Sequence, residues 1–403
     1  MGRQRRRLRS SLHIADSPAW WHESHYSYGL ADALTRAYAA VQGDQRSPER
    51  YLAAYTALIP YRDQSVCAPQ RLHLEYALAL AYSGEEAFPQ ALECLAQAAE
   101  IAEDLHDVAA QAEIGYLAGA LLHLVTHRAD AYTVSAGALA SLDALRQDDE
   151  PADAVFELDL SLRLAGHAWE LGWFTTCLRH LEHAHTLRAV WVPDAAQEAA
   201  LLSWLDAQLA RIRGRPDQAV QLATAAADLL LDLDQPLNAG RCHTIAAECA
   251  FELIEELRSP SHAMRPPFDT AITRDPSRLL NTGRSFSWRA IELARMAQDP
   301  IGMGMAQLAL RHGARLDGDA GVDGSGLAAV EAVAQIVRWT GDVSLGGRVE
   351  TARGDELAAI GDGEAALNAY RRALRLLEEH DLRGLAFWPQ MALRRTLDRE
   401  DHP

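Results

Sequence analysis

The 403-residue chain contains no lysine, and all 38 of its basic residues are arginine. That absence excludes Schiff-base chemistry, which needs a side-chain amine as nucleophile. It also excludes the P-loop, whose lysine must reach the β/γ-phosphates, and neither a G-x-S-x-G elbow nor a strand-linked G-x-G-x-x-G points to acyl transfer or dinucleotide binding. No apolar run approaches the roughly 18 residues of a membrane span, so no membrane partner is expected. Strand signals are nearly absent. Cysteine is sparse and odd in number: Cys67, Cys94, Cys177, Cys242 and Cys249 are dispersed, which suits small buried hydrophobes better than a disulfide framework. No apolar h-region precedes Asp16, so the expected compartment is the reducing cytoplasm.

What is abundant points to helices. Hydrophobic residues make up 49% of the chain and aromatics only 7%, so the helices must pack through small side chains rather than around a large aromatic core. Small residues return at fixed places in a helix-turn-helix unit. The clearest copy carries Gly354, Leu357 and Gly361 on or just past one helix and Ala366, Tyr370 and Ala373 on the next. Gly354 and Ala366 are expected to face each other where two antiparallel helices approach, with Tyr370 and Leu357 filling the gap beside them. Upstream copies are Ala79, Tyr82, Phe88, Ala91, Leu95 and Ala98, then Gly119, Leu122, Ala131 and Ala138. Two more run through Ala165, Ala168, Gly172, Phe174, Cys177, Leu181 and Ala184, and through Ala207, Ala210, Gly214, Ala219, Ala223 and Ala226. The second-helix slot steps from Ala91 to Ala131, Cys177 and Ala219, intervals of 40, 46 and 42 residues. Pro48, Pro89, Pro151 and Pro216 fit first-turn positions, and Gly172, Gly214 and Gly361 fit turns within pairs.

These slots resemble a tetratricopeptide repeat (TPR), in the degenerate long-repeat form of bacterial signalling and transcription-regulator domains. The resemblance implies an all-α, right-handed α-solenoid of about eight helix pairs, some 17 helices, with a C-terminal capping helix near 385–397. Residues 1–27 are expected to form a flexible basic arm, 28–398 the solenoid and 399–403 a tail. The register lapses twice. One lapse, 258–284, is a Pro- and Ser-containing insertion between helices at 236–257 and 286–297, either a plain surface loop or a lid. The other, 313–326, is a Gly/Asp-rich loop.

If the repeats stack as TPRs do, the first helix of each pair lines the concave face. The resemblance then carries inward Tyr76, Tyr116, Leu162 and Trp204, three residues before the small slots, and Ser83, His123, Trp169 and Arg211, four after. From this row Tyr76, Tyr116, His123, Trp169, Trp204 and Arg211 are the expected ligand-binding residues. Rings and polar groups in place of a Lys and Asn lattice suit a partly apolar ligand, a hydrophobic peptide or a small organic effector. The alternative is that the same rings pack against neighbouring helices.

Metal and cofactor chemistry find little support. Asp319, Asp323 and Gly324 fall on part of a calcium-loop spacing, but Gly321 takes a ligand slot and Val330 stands where the bidentate Glu belongs. His123 and His127 have i, i+4 spacing and His180, His183 and His185 cluster, yet no H-E-x-x-H or Cys-x-x-Cys accompanies them. No metal and no cofactor are expected. The net charge of −18 disfavours nucleic acid, which only the arm from Arg3 to Arg9 could contact, and favours basic or neutral partners; a homodimer is compatible with it.

The expected function is a non-enzymatic binding module that recognises a peptide, a protein or a small effector on its concave face, in signalling or transcription control. The alternatives are an effector-sensing subunit of a DNA-binding regulator, and a scaffold-type enzyme or enzyme accessory protein.

Overall fold

The computed structural model of the chain describes residues 30, 33–34, 36–38, 48–64, 66–146, 151–258, 275–319 and 323–401. The arm Arg3 to Arg9, residues 259–274 and 402–403 lie outside the described residues. Among those described there is no strand, and helices follow one another with short turns. The chain divides into two compact units, Met1–His167 with Val190–Val192 and Ala168–Ala189 with Pro193–Pro403.

In the first unit, helical residues 30, 33–34 and 36–38 precede α1 (Pro48–Leu58), α2 (Ala68–Gly84), α3 (Phe88–Asp104), α4 (Val108–Leu124) and α5 (Arg128–Ala144), and most of α6 (Ala154–Glu170) follows. Leu30, Leu34, Leu58, Leu72, Leu78 and Leu95 form one core, and Ala112, Ala138, Leu142, Leu160 and Leu164 another. Small residues set the spacing as expected. A Cβ on Gly115 would lie 3.0 Å from that of Ala138, and one on Gly119 would strike Ser135, so α4 and α5 meet only because both positions lack a side chain.

The second unit takes the end of α6 and then α7 (Phe174–Val190), α8 (Ala196–Ile212), α9 (Pro216–Asp232), α10 (Pro236–Arg258), α11 (Pro276–Met296), α12 (Pro300–Leu316), α13 (Ser325–Thr340), α14 (Val343–Ala359), α15 (Gly363–Glu379) and α16 (Phe387–Asp401). Phe251, fully buried, is enclosed by Gly283 of α11 and Gly313 of α12, neither of which leaves room for a Cβ beside its ring. Gly354 of α14 likewise receives the Tyr370 ring from α15, so its close neighbour is that ring rather than Ala366, which is itself fully buried.

Turn chemistry explains where the helices end. Asp107, Asp342 and Asp362 accept hydrogen bonds from the first-turn N–H groups of α4, α14 and α15, and Asp275 does the same for α11. Proline opens α1, α9, α10, α11 and α12, where a missing N–H costs nothing. Gly172, Gly214 and Gly361 take the left-handed conformation that stops a helix, and Glu86, His106, Thr126, Asp234, Gln298 and Asp381 adopt it without being glycine.

Several expectations are corrected. The helix expected from Phe286 begins ten residues earlier, at Pro276, because Asp275 caps it and Leu279 and Leu280 bury against Phe251; the interruption is therefore shorter than 258–284. Gly313 lies inside α12, whose C-terminal turn runs on to Leu316, so the second lapse is shorter than 313–326. Pro151 precedes α6 by three residues instead of opening it. Cys67 is exposed at the start of α2, while the other four cysteines are buried, and none of the five forms a disulfide. His127 sits in the turn after α4, paired with Asp130 at 3.4 Å, so it shares no helix face with His123.

Candidate functional site

The second unit holds an open-sided cavity of about 380 Å³ where the first helices of four consecutive pairs, α8, α10, α12 and α14, converge beneath α16. Helical periodicity aims the side chains there. On α10, Glu248, Glu252 and Glu255 are spaced four and three apart and therefore share one face; on α12, Leu308, Arg311 and Arg315 do the same. Each wall thus supplies charge to a lining that also holds alanines, leucines, Tyr370 and Trp388.

The charges are tied to one another. Arg211, on α8, donates to Glu248 at 2.5 Å and to Glu252 at 2.5 and 2.8 Å, and Arg348 of α14 donates to the other oxygen of Glu248. Arg315 bridges Glu356 at 3.0 Å and Asp355 at 3.1 Å, while Arg311 donates to Glu356 at 2.7 Å and to Asp319 at 2.6 Å. Asp319 thus serves a guanidinium. His312 contacts Glu255 at 2.9 Å, and Arg395 of α16 donates to the same carboxylate at 3.0 Å. Tyr370 donates its hydroxyl to Asp355 at 2.8 Å.

Proton affinities follow from this pairing. Burial by itself would raise the carboxyl of Glu255, but His312 and Arg395 outweigh it and pull it down to about 2. Glu248, whose burial acts in the same upward direction, is held below the ordinary carboxyl range by Arg348 and Arg211. Burial would lower Arg211; Glu252 and Glu248 more than reverse that and hold it charged. Arg311 and Arg348 both line the cavity, while their Nε atoms are buried without a hydrogen-bond partner.

The residues expected from sequence fall in both units. In the first, Tyr76 packs half-buried against the leucine-rich core. Tyr116 donates to Asp159, accepts from Arg163, whose guanidinium lies 4.0 Å over its ring, and meets Phe156 edge-on at 5.1 Å. His123 sits 4.9 Å from the ring of His167, and that imidazole is pushed down to about 3 by burial and by the neighbouring His123, Arg163 and Arg128. In the second unit Trp204 packs against two of the alanine-rich cores, Trp169 is buried against Trp388 at 6.4 Å, and Arg211 lines the cavity with its guanidinium 4.4 Å over the same Trp388 ring. Sequence reasoning missed Glu248, Glu252, Arg315, Arg348 and Trp388. The acidic face of α10 was a legible signal for the first two, since a stripe of carboxylates in a helix rich in buried alanine and cysteine needs cationic partners.

The arrangement is a repeat array. Successive antiparallel pairs with their spacing set by small residues, and in the second unit first helices turned to one cavity, are features of the TPR class. The chain has a TPR-like α-solenoid fold. The quorum sensor NprR from B. thuringiensis in its apo form superposes with a TM-score of 0.60 at 14% identity, over 89% of this chain and 90% of that one. Aspartyl phosphate phosphatase F from Bacillus subtilis matches with a TM-score of 0.59 at 7% identity, covering 88% and 95%. The Rap conjugation gene regulator of the plasmid pLS20, solved in complex with the Phr* peptide, gives 0.55 at 11% identity, covering 87% and 95%. No protein-family model and no curated protein matches the sequence. The TPR-like likeness is therefore one of fold, carried almost without shared residues. No helix among the described residues is long and apolar enough to cross a membrane.

Proposed function

We propose that the chain is a non-enzymatic, TPR-like receptor that binds a peptide in the cavity of its second unit, as a cytoplasmic component of bacterial signalling or transcription control. The observation that carries this reading is the cavity itself, formed where the first helices α8, α10, α12 and α14 converge and walled by ion pairs of both signs. A peptide offers amide donors and acceptors together with charged groups, which matches walls that place guanidinium groups beside carboxylates and apolar side chains. Two of the similar structures support the same direction by name, one a quorum sensor and one a regulator holding a peptide. A third is named a phosphatase, but the carboxylates of this cavity argue against hydrolysis here. Glu248 and Glu255 are held below the ordinary carboxyl range and committed to arginine, which makes both poor general bases.

The test is selection from a random-hexapeptide library equilibrated with the full chain, followed by titration of the enriched sequences against Arg348→Ala and Glu252→Gln. Enrichment of a consistent sequence, with binding weakened at least tenfold by either substitution, is the expected result. A library that emerges unenriched, or enriched peptides indifferent to both substitutions, would sink the proposal. Small organic compounds that displace the peptides would point to the effector reading.

A further inference from the structure

The last helix does more than cap the array. A cap needs only to bury the outer face of the final pair, which α16 does against α14 and α15. Yet its residues Trp388, Ala392, Arg395 and Thr396 lie on one helix face and line the cavity opposite α8, α10 and α12. Trp388 lies 4.4 Å from the Arg211 guanidinium and 6.4 Å from the Trp169 ring, and Arg395 reaches Glu255 at 3.0 Å across 140 positions of chain. The turn before the helix is pinned to the same early repeat. Gly384 donates its N–H to the Glu170 carbonyl at 2.8 Å, and a Cβ at this position would strike the Trp169 carbonyl. Trp169 and Arg211 are positions that the repeat register turns inward, so α16 sits where a ligand of the second unit would sit.

We infer that α16 is an intramolecular occupant of this groove, and that the groove takes a helical peptide of α16's own chemistry. Such a peptide presents an aromatic ring to Trp169 and Arg211 and, seven residues later, a cation to Glu255. The inference rests on the proposed function, because it specifies the ligand of the same cavity. Two features make α16 a displaceable occupant. It leaves about 380 Å³ unfilled beneath it, and its Arg395 tether is half-exposed and therefore screened by solvent. Its outer side also carries exposed apolar residues, Met391 and Leu397, so the helix is not committed to the interior on every face. Tethering gives such a segment an effective concentration on the order of millimolar, enough to exclude weak competitors and admit strong ones.

The experiment measures fluorescence anisotropy of a labelled synthetic peptide with the sequence of residues 385–401, titrated with the full chain and with its Trp388→Ala/Arg395→Ala variant. The double variant should bind at least tenfold more tightly than the unaltered chain, and a peptide with Ala in place of its tryptophan should not bind. Equal affinity for both proteins, or no binding by a double variant that keeps its helical signal, overturns the inference. Hydrogen exchange on the unaltered chain supplies a second measurement that needs no variant. Amides of α16 should exchange before those of α14 and α15, and equal protection identifies α16 as a permanent cap and overturns the proposal. Success here with an unenriched library would retain the occupant and remove the foreign-peptide function, whereas the reverse pattern would retain the function and remove the occupant.

Discussion

Single residues in this chain are constrained by neighbours that lie far away in sequence. Arg211 is 8% exposed and neutralises two carboxylates, so Arg211→Ala leaves Glu252 without its buried partner, although Arg348 still serves Glu248. We expect a loss of roughly 3 kcal/mol, the lower end for breaking a buried pair, read as a shift of the denaturant midpoint. A variant as stable as the parent would show that the pair is not formed. Gly354 and Ala366 are small for packing reasons, and Ala366→Leu should cost ~1 to 3 kcal/mol by overpacking in thermal melts. Acid sensitivity has two residue-level sources. His167 titrates near 3 in the fold and near 6.5 when unfolded, so it favours the fold fully above pH 6.5 and progressively less as pH falls toward 3. Glu255, at about 2 in the fold against an ordinary 4.5, loses its contribution only between pH 4.5 and 2. His167→Gln should therefore flatten stability against pH in the upper window, and Glu255→Gln in the lower, as followed by circular dichroism.

At the scale of the helix, the turns decide the repeat. A pair must stop one helix and start the next, and at most of the described turns within pairs the chain does this by placing one residue in the left-handed region before the next helix. Glycine does so without cost at Gly172, Gly214 and Gly361, whereas Thr126 is β-branched and holds φ near 69°. Left-handed backbone costs an L-residue about 1 kcal/mol or more, so Thr126→Gly should raise the melting temperature. No change, or a fall, would mean that the turn between α4 and α5 is held by Thr126 itself. Those glycines were legible as turns from sequence alone. Their counterparts at Glu86, His106 and Gln298 were not, because no composition rule marks a charged or amide residue as left-handed. The same limit hid the start of α11. Gly283 reads as a helix breaker in a Pro-containing stretch, and only the Phe251 ring pressed against it explains why a glycine is needed inside a helix.

For the whole molecule, the dominant long-range property is the net charge of −18. A cationic ligand should be drawn to such a surface, so association of an arginine-bearing peptide should be faster at low ionic strength and slow by about tenfold or more as salt rises past the screening limit. Stopped-flow rates independent of salt would remove charge from the account of recognition.

The sequence by itself determined the fold class and the small-residue positions that let paired helices approach. Small side chains at a steady interval dictate close antiparallel packing wherever they occur, and that information is local. Only the tertiary structure decided which inward residues serve a cavity. Of the six expected binding residues, Arg211 lines it, Trp169 meets the helix that covers it, and Trp204 packs into the alanine-rich cores. Tyr76, Tyr116 and His123 make their contacts within the first unit. Register shows which way a side chain points, but its partner depends on the curvature of the array. Here that curvature brings Trp388 back onto Trp169 and Arg211, across more than 170 positions of chain that carry no trace of the encounter.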